Sequence, residues 1–103
     1  MSPKQESNSP IGRRLRTART SKGLSQKQLG ILAGIDEFSA SPRINQYERD
    51  KHVPDYSTAQ RLAQALSIPV TYLYADDDEL AEFILLFSAT DEVSKKQLID
   101  GLK

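Results

Sequence analysis

At 103 residues, with 38% hydrophobic and 27% charged side chains, the chain has the composition of one ordinary globular domain, neither disordered nor fibrous. It contains no cysteine, which excludes disulfides and thiolate chemistry, and no apolar run near the roughly 20 residues that a bilayer span needs. Its net charge of zero hides an asymmetry: residues 1–30 carry +6, residues 31–75 carry −1 and residues 76–103 carry −5.

A basic front and an acidic tail suit a polyanion at one end and a different role at the other, although solvated helix faces produce the same asymmetry. The opening "MSPKQESNSP" lacks the apolar segment of a secretory signal, so a cytoplasmic protein is expected. Residues 1–9, polar and rich in Ser and Pro, are expected to form a flexible N-terminal arm.

Ser9-Pro10 reads as the start of a first helix, with Ile11, Leu15 and Ala18 in an apolar stripe and Arg13, Arg14 and Arg16 away from it. Gly23 should end it. "LSQKQL" at 24–29 is a capping box: Ser25 can accept from the backbone of Gln28 while the Gln28 side chain reaches back, with Leu24 and Leu29 as the flanking staple. A second helix therefore starts at Gln26, faces Leu29, Leu32 and Ala33 inward, and stops at Gly34.

"IDEFSAS" reads as a loop or a single turn before Pro42 opens a third helix with Ile44 and Tyr47 inward. Pro54 marks the next break, and residues 57–66 form a fourth helix that turns Ala59, Leu62, Ala63 and Leu66 inward. "SIPVTYLYA" supplies a short fifth helix containing Val70 and Leu73. Next, Asp76, Asp77, Asp78 and Glu79 suit the start of a helix, and "ELAEFILLFSA" puts Leu80, Phe83, Ile84 and Phe87 on one face. A last helix from about Asp91 to Leu102, capped by Thr90, follows.

Two short helices around a glycine-containing turn, the second armed with Arg, Asn and Gln, have the outline of a helix-turn-helix. The run "IGRRLRTARTSKGLSQKQLGILAGI…INQYERDKHVPD…AQRLAQALSIPVTYLY" resembles the DNA-binding domain of the lambdoid phage repressors and Cro proteins, the Xre-type transcriptional regulators, over roughly residues 10–75. The resemblance implies an all-α fold: a five-helix lambda-repressor-like DNA-binding domain at 10–75 with a C-terminal helical extension at 76–103 as a possible dimerisation element. The function it implies is sequence-specific binding of double-stranded DNA, as a transcriptional repressor acting as a homodimer on a pseudo-palindromic operator.

Carried over residue by residue, Gln26 matches a position that contacts phosphate and helps hold the reading helix. Alignment on Ile44 and Tyr47 brings the family's base-edge positions to Ser41, Pro42 and Gln46. Gln46 can pair with adenine N6 and N7, Arg43 can fork onto guanine or hold phosphate, and Asn45 can do either with shorter reach. Lys27, Arg49, Lys51 and His52 complete the expected phosphate contacts, with a solvated loop role as the alternative for His52. Arg19 and Glu48 resemble a structural ion pair that ties the first helix to the third.

Two departures stand out. The segment between Gly34 and Ile44 is four residues longer than the usual family spacing, so "DEFSAS" either makes a longer turn or extends the helix start. The family's common glycine after its Glu-Arg pair is Asp50 here, which tolerates a left-handed conformation less well.

The acidic run lacks the spaced ligands and glycine of a calcium loop, so helix capping explains it better than a cation does. No nucleophile and base arrangement or phosphate-cradling glycine loop is present, so no enzyme, cofactor, metal or small-molecule ligand is expected, and no membrane. The dimer contact is expected from within these residues, with Leu80, Phe83, Ile84 and Phe87 as candidates. The alternative function is a protein-interaction adaptor or antitoxin-like partner built on the same fold.

Overall fold

Seven helices run through residues 9–103, which the computed structural model describes: α1 (Ile11–Ser21), α2 (Gln26–Leu32), α3 (Glu37–Glu48), α4 (Tyr56–Leu66), α5 (Val70–Leu73), α6 (Asp78–Ser88) and α7 (Glu92–Leu102). The expected arm at 1–9 lies outside the described residues apart from Ser9. Among those residues the fold is all-α, and no helix is long and apolar enough to cross a membrane.

One apolar face from each of the first five helices meets at a common centre. Leu15 of α1, Leu29 of α2, Ile44 of α3, Leu62 and Leu66 of α4 and Leu73 of α5 are fully buried there. Each contributes about 1.5–3 kcal/mol by leaving water. Ala59 and Ala63 fill the α4 stripe between the leucines, as the 3.6-residue period of that segment requires.

The starts and stops follow local chemistry. Ser25 Oγ accepts from the backbone N–H of Gln28 at 3.0 Å, and Gln28 Oε1 accepts from the N–H of Ser25 at 2.8 Å, which completes the capping box and fixes the start of α2. Gly23 and Gly34 both lie at positive φ, 72° and 89°, where they reverse the chain after α1 and α2.

The start of α3 differs from the sequence expectation. Asp36 caps it by accepting from the N–H of Phe38 at 3.0 Å, and Pro42, expected to open the helix, lies inside it. The four extra residues between Gly34 and Ile44 have become one added helical turn. Proline is tolerated because the carbonyl it strands, four residues back, belongs to Phe38, which is 87% exposed and open to water. Ala40 in that added turn presses on Gly30 of α2 so closely that a Cβ on Gly30 would stand 2.6 Å from the Ala40 methyl.

Three smaller expectations are also corrected. Leu32 is 60% exposed, because α2 turns only Leu29 and Gly30 fully inward. Arg14 is buried and not on the outer face of α1: its Nε donates to the Ala75 carbonyl at 2.8 Å, its Nη1 pairs with Asp78 at 2.9 Å and its guanidinium lies over the Tyr72 ring. Asp91 caps α7 through the N–H of Ser94 at 2.8 Å, whereas Thr90 bonds back to the Leu86 carbonyl.

Candidate nucleic-acid interface

α3 turns Ala40, Ile44 and Tyr47 into the core, and at 100° per residue the opposite side carries Phe38, Pro42 and Arg49. Arg43 and Gln46 flank that stripe on one side and Asn45 on the other. Pro42, Arg43 and Arg49 are exposed, while Ser41, Asn45 and Gln46 are half-buried.

A buried network holds the helix from behind. Arg19 on α1 meets Glu48 on α3 through two bonds, Nε to Oε2 at 2.6 Å and Nη2 to Oε1 at 3.0 Å, and its Nη1 donates to the Leu24 carbonyl at 2.9 Å. The two side chains are only 13% and 4% exposed, so neither charge has water to fall back on. The hydrogen bonds to Glu48 raise the pKa of the Arg19 guanidinium above its ordinary value, against the burial that lowers it.

Gln26 joins this network. Its Nε2 donates to Asn45 Oδ1 at 3.2 Å and to Glu48 Oε1 at 3.1 Å, so both side-chain donors are committed to α3. An anion approaching Gln26 therefore meets its backbone N–H in the first turn of α2 and the neighbouring Lys27, which is exposed.

The end of α3 is equally defined. Asp50 sits at φ 58°, with its N–H donating to the Tyr47 carbonyl at 3.2 Å and the N–H of Lys51 to the Gln46 carbonyl at 2.9 Å. That bond pair closes a Schellman turn, with aspartate where glycine costs least. Gly12 of α1 lies against the same turn, and a Cβ there would come within 2.9 Å of Asp50 Oδ1 and the Glu48 carbonyl.

Two open hollows straddle α3. One, of about 470 Å³, brings Arg43, Gln46 and His52 together with Asp55 and Thr58 at the start of α4. The other, of about 280 Å³, gathers Arg16, Arg19, Gln26, Asn45, Glu48 and Arg49. Of the expected residues, Arg43, Gln46 and His52 thus meet on one flank of α3 and Gln26, Asn45 and Arg49 on the other, while Ser41, Pro42, Lys27 and Lys51 line neither hollow.

Sequence reasoning counts Arg16 only as part of a basic first helix, whereas it lines the same hollow as Arg49, and it misses Asp55, which caps α4 by accepting from the N–H of Thr58 at 2.9 Å. That bond, with those from the Thr58 and Ser57 side chains, holds the Asp55 carboxyl below its ordinary pKa. The Asp-X-X-Thr spacing after Pro54 was the available signal.

Arg13 and Arg14, counted in the basic front, are committed to the α5–α6 junction, Arg13 through Nη2 to the Asp76 carbonyl at 2.8 Å. In α6, Leu80 and Phe83 are exposed, Phe87 is half-buried and Ile84 packs on the core of its own chain. The acidic run works as a helix start, with Asp77 accepting from the N–H of Leu80 at 2.8 Å.

The sequence matches a family described as a helix-turn-helix domain over residues 12–79. It is 33% identical over 66 residues to uncharacterized HTH-type transcriptional regulators of Sinorhizobium medicae (strain WSM419) and Rhizobium meliloti (strain 1021), a match covering 64% of this chain and 45% of each relative. The matched region is thus less than half the length of these curated relatives. The structure resembles the crystal structure of the transcriptional regulator BswR, with a TM-score of 0.84 and 51% identity over 89% of this chain and 91% of that one.

Proposed function

We infer that this chain, which belongs to the helix-turn-helix family of transcriptional regulators, reads double-stranded DNA with α3 and represses transcription as a dimer on a pseudo-palindromic operator. The observation that carries this is the two-sided construction of α3. Its inner side is locked by the Arg19, Glu48 and Gln26 network, and its outer side presents side chains with base-edge and phosphate chemistry.

Gln46 reads adenine through both faces of its amide, and Arg43, Asn45, Ser41 and Pro42 supply the neighbouring base contacts. Lys27, Arg49, Lys51, His52 and the backbone N–H of Gln26 hold phosphates along the two flanks, and Arg43 serves either partner according to register. Two half-sites on one face of the duplex, about 34–36 Å apart, require two copies of α3 in a symmetric pair.

The pairing surface is the exposed side of α6, where Phe83 and Phe87 stack at 5.6 Å, continued by α7, which buries none of its residues in its own chain. Val93, Leu98, Ile99 and Leu102 all remain exposed on that last helix. Apolar faces left open at this scale mark a protein contact.

Fluorescence anisotropy with DNA from upstream of the gene, against a scrambled duplex, at about 50 and 200 mM salt tests the whole reading. Two chains per site, preference for one sequence and a steep loss of affinity with salt are expected. Equal, weak binding to the upstream and scrambled duplexes would count against it and favour a protein partner.

A further inference from the structure

The turn that lengthens α3 carries at its tip a side chain with no partner in the protein. Phe38 is 87% exposed, the most exposed large hydrophobic residue among those described. It is not a stray surface ring. One helical turn holds 3.6 residues, so the added turn continues the outward stripe, with Phe38 one turn before Pro42 and Arg49 two turns further on. The stripe that faces away from Ala40, Ile44 and Tyr47 therefore begins with two successive side chains that cannot hydrogen-bond.

The charge around the tip restricts what it can meet. Asp36 and Glu37 are its neighbours, both exposed, and no basic residue lies between Gly34 and Pro42. Carboxylates are repelled by phosphates, so this end makes no phosphate contact and what the tip can meet on a duplex is a base edge, while Arg43, Arg49 and Lys51 further along suit the phosphate walls of the groove. Among those edges one base offers an apolar group, the C5-methyl of thymine, and aromatic and aliphatic side chains are what contact it.

We propose that Phe38 is a specificity-determining residue that packs its ring on the C5-methyl of a thymine, which makes the added turn of α3 part of the reading surface. This rests on the assignment of α3 to the major groove. It predicts a half-site with thymine beyond the bases met by Pro42 and Gln46, at the end of the contact that the helix tip reaches.

The test removes the methyl without changing the base pair. Duplexes are selected from a random pool with the full chain, each thymine of the selected site is replaced singly by deoxyuridine, and affinities are measured for the natural protein, Phe38→Ala and Phe38→Leu. Phe38 is exposed, so neither substitution disturbs the core.

One deoxyuridine should cost the natural protein about fourfold in affinity, the worth of one buried methyl. It should cost Phe38→Ala nothing and Phe38→Leu an intermediate amount. Deoxyuridine penalties that are the same in Phe38→Ala as in the natural protein overturn the proposal, as does a site where no thymine methyl matters. A random pool that yields no preferred sequence removes the groove assignment itself, a result distinct from either.

Discussion

The five-helix body and the C-terminal pair of helices are built on opposite principles. Among the described residues, fifteen of the sixteen buried hydrophobic ones lie at or before Ala75, and only Ala81 lies after it. The helices of the body are short and are held by what they bury, whereas α6 buries only Ala81, with Ile84 and Leu85 half-buried against the core and Asp78 paired to Arg14, and α7 buries nothing; both leave apolar faces outside. The body closes most of its apolar surface around its own core, and the tail is suited to being completed by a further chain.

The sharpest way to break the body is through its buried charge. Arg19→Ala leaves Glu48, 4% exposed, without its counter-ion, and should cost about 3–5 kcal/mol in urea unfolding. Gln26 cannot compensate, since its amide is neutral and already bonded to the same carboxylate. A loss under about 1 kcal/mol would mean that the pair behaves as a surface ion pair and that α3 is not held this way.

In the tail the corresponding substitution should act on association and not on folding. Phe83→Glu puts a charge on the proposed pairing face, and should weaken the dimer by about 2 kcal/mol or more, some thirtyfold in dissociation constant, with the urea midpoint of the monomer unchanged. Sedimentation over a concentration series measures it. A dimer of unaltered strength would move the interface away from α6.

DNA binding should then separate the two regions in a different way. Gln46→Ala is expected to cost about 1–3 kcal/mol at one base position, Lys51→Ala to weaken every sequence alike, and Phe83→Glu to abolish the preference for two half-sites over one. Competition assays with single-base variants of a selected site distinguish the three. Equal losses on all DNA from Gln46→Ala would end its base-reading role.

What could be read in the sequence follows the same division. The first four of the five body helices each end at a left-handed residue, Gly23, Gly34, Asp50 and Ser67, whereas α5 ends at Tyr74 with φ −101°. The two glycines announce their stops because the residue type favours the conformation, and Asp50 was conspicuous only against a resemblance. Ser67, at φ 55°, gives no local signal; its N–H donates to the Gln64 carbonyl at 3.1 Å and that of Ile68 to the Ala63 carbonyl at 3.0 Å, which closes the turn after buried Leu66.

The start of α3 escapes a reading of the sequence because proline has a strong preference for the first helical position, and the Asp36 cap lies six residues before it. Charge predicts exposure for Arg14, and its burial depends on the Ala75 carbonyl and Asp78 more than sixty residues away. The candidate interface was legible as a set of residue types, whereas its division between the two sides of α3 required the fold.

The non-glycine stop offers a gain of stability. Asp50→Gly removes the left-handed strain of a residue with a Cβ and should stabilise the body by about 0.5–1 kcal/mol in urea unfolding. It also removes a negative charge beside Lys51, so affinity for every duplex should rise slightly at low salt. α6 ends at Ala89 with φ −86°, so no equivalent gain is available there.

The smallest effect discriminates best between the two regions, because it applies the same chemistry to both. Asp55 starts α4 and Asp91 starts α7. Each carboxylate is held below its ordinary pKa, first by a backbone N–H three residues on, Thr58 in one case and Ser94 in the other. A lowered carboxylate pKa stabilises the folded form above the ordinary aspartate value of about 3.9, and that stabilisation fades as pH falls through the lowered folded-state value. In α4 the lost cap is backed by Ala59, Leu62, Ala63 and Leu66, all buried, so its backbone amides should stay protected from hydrogen exchange. α7 has no buried residue to hold it, so its first turn should open in acid while α4 remains closed. Asp91→Asn, which keeps an N-cap acceptor without a titrating charge, should remove the acid sensitivity of α7. If α7 of the natural protein keeps its protection at the same low pH in dilute, monomeric solution, its helix is held by something other than its cap, and the contrast between packed body and locally capped tail fails at the point where it is most specific.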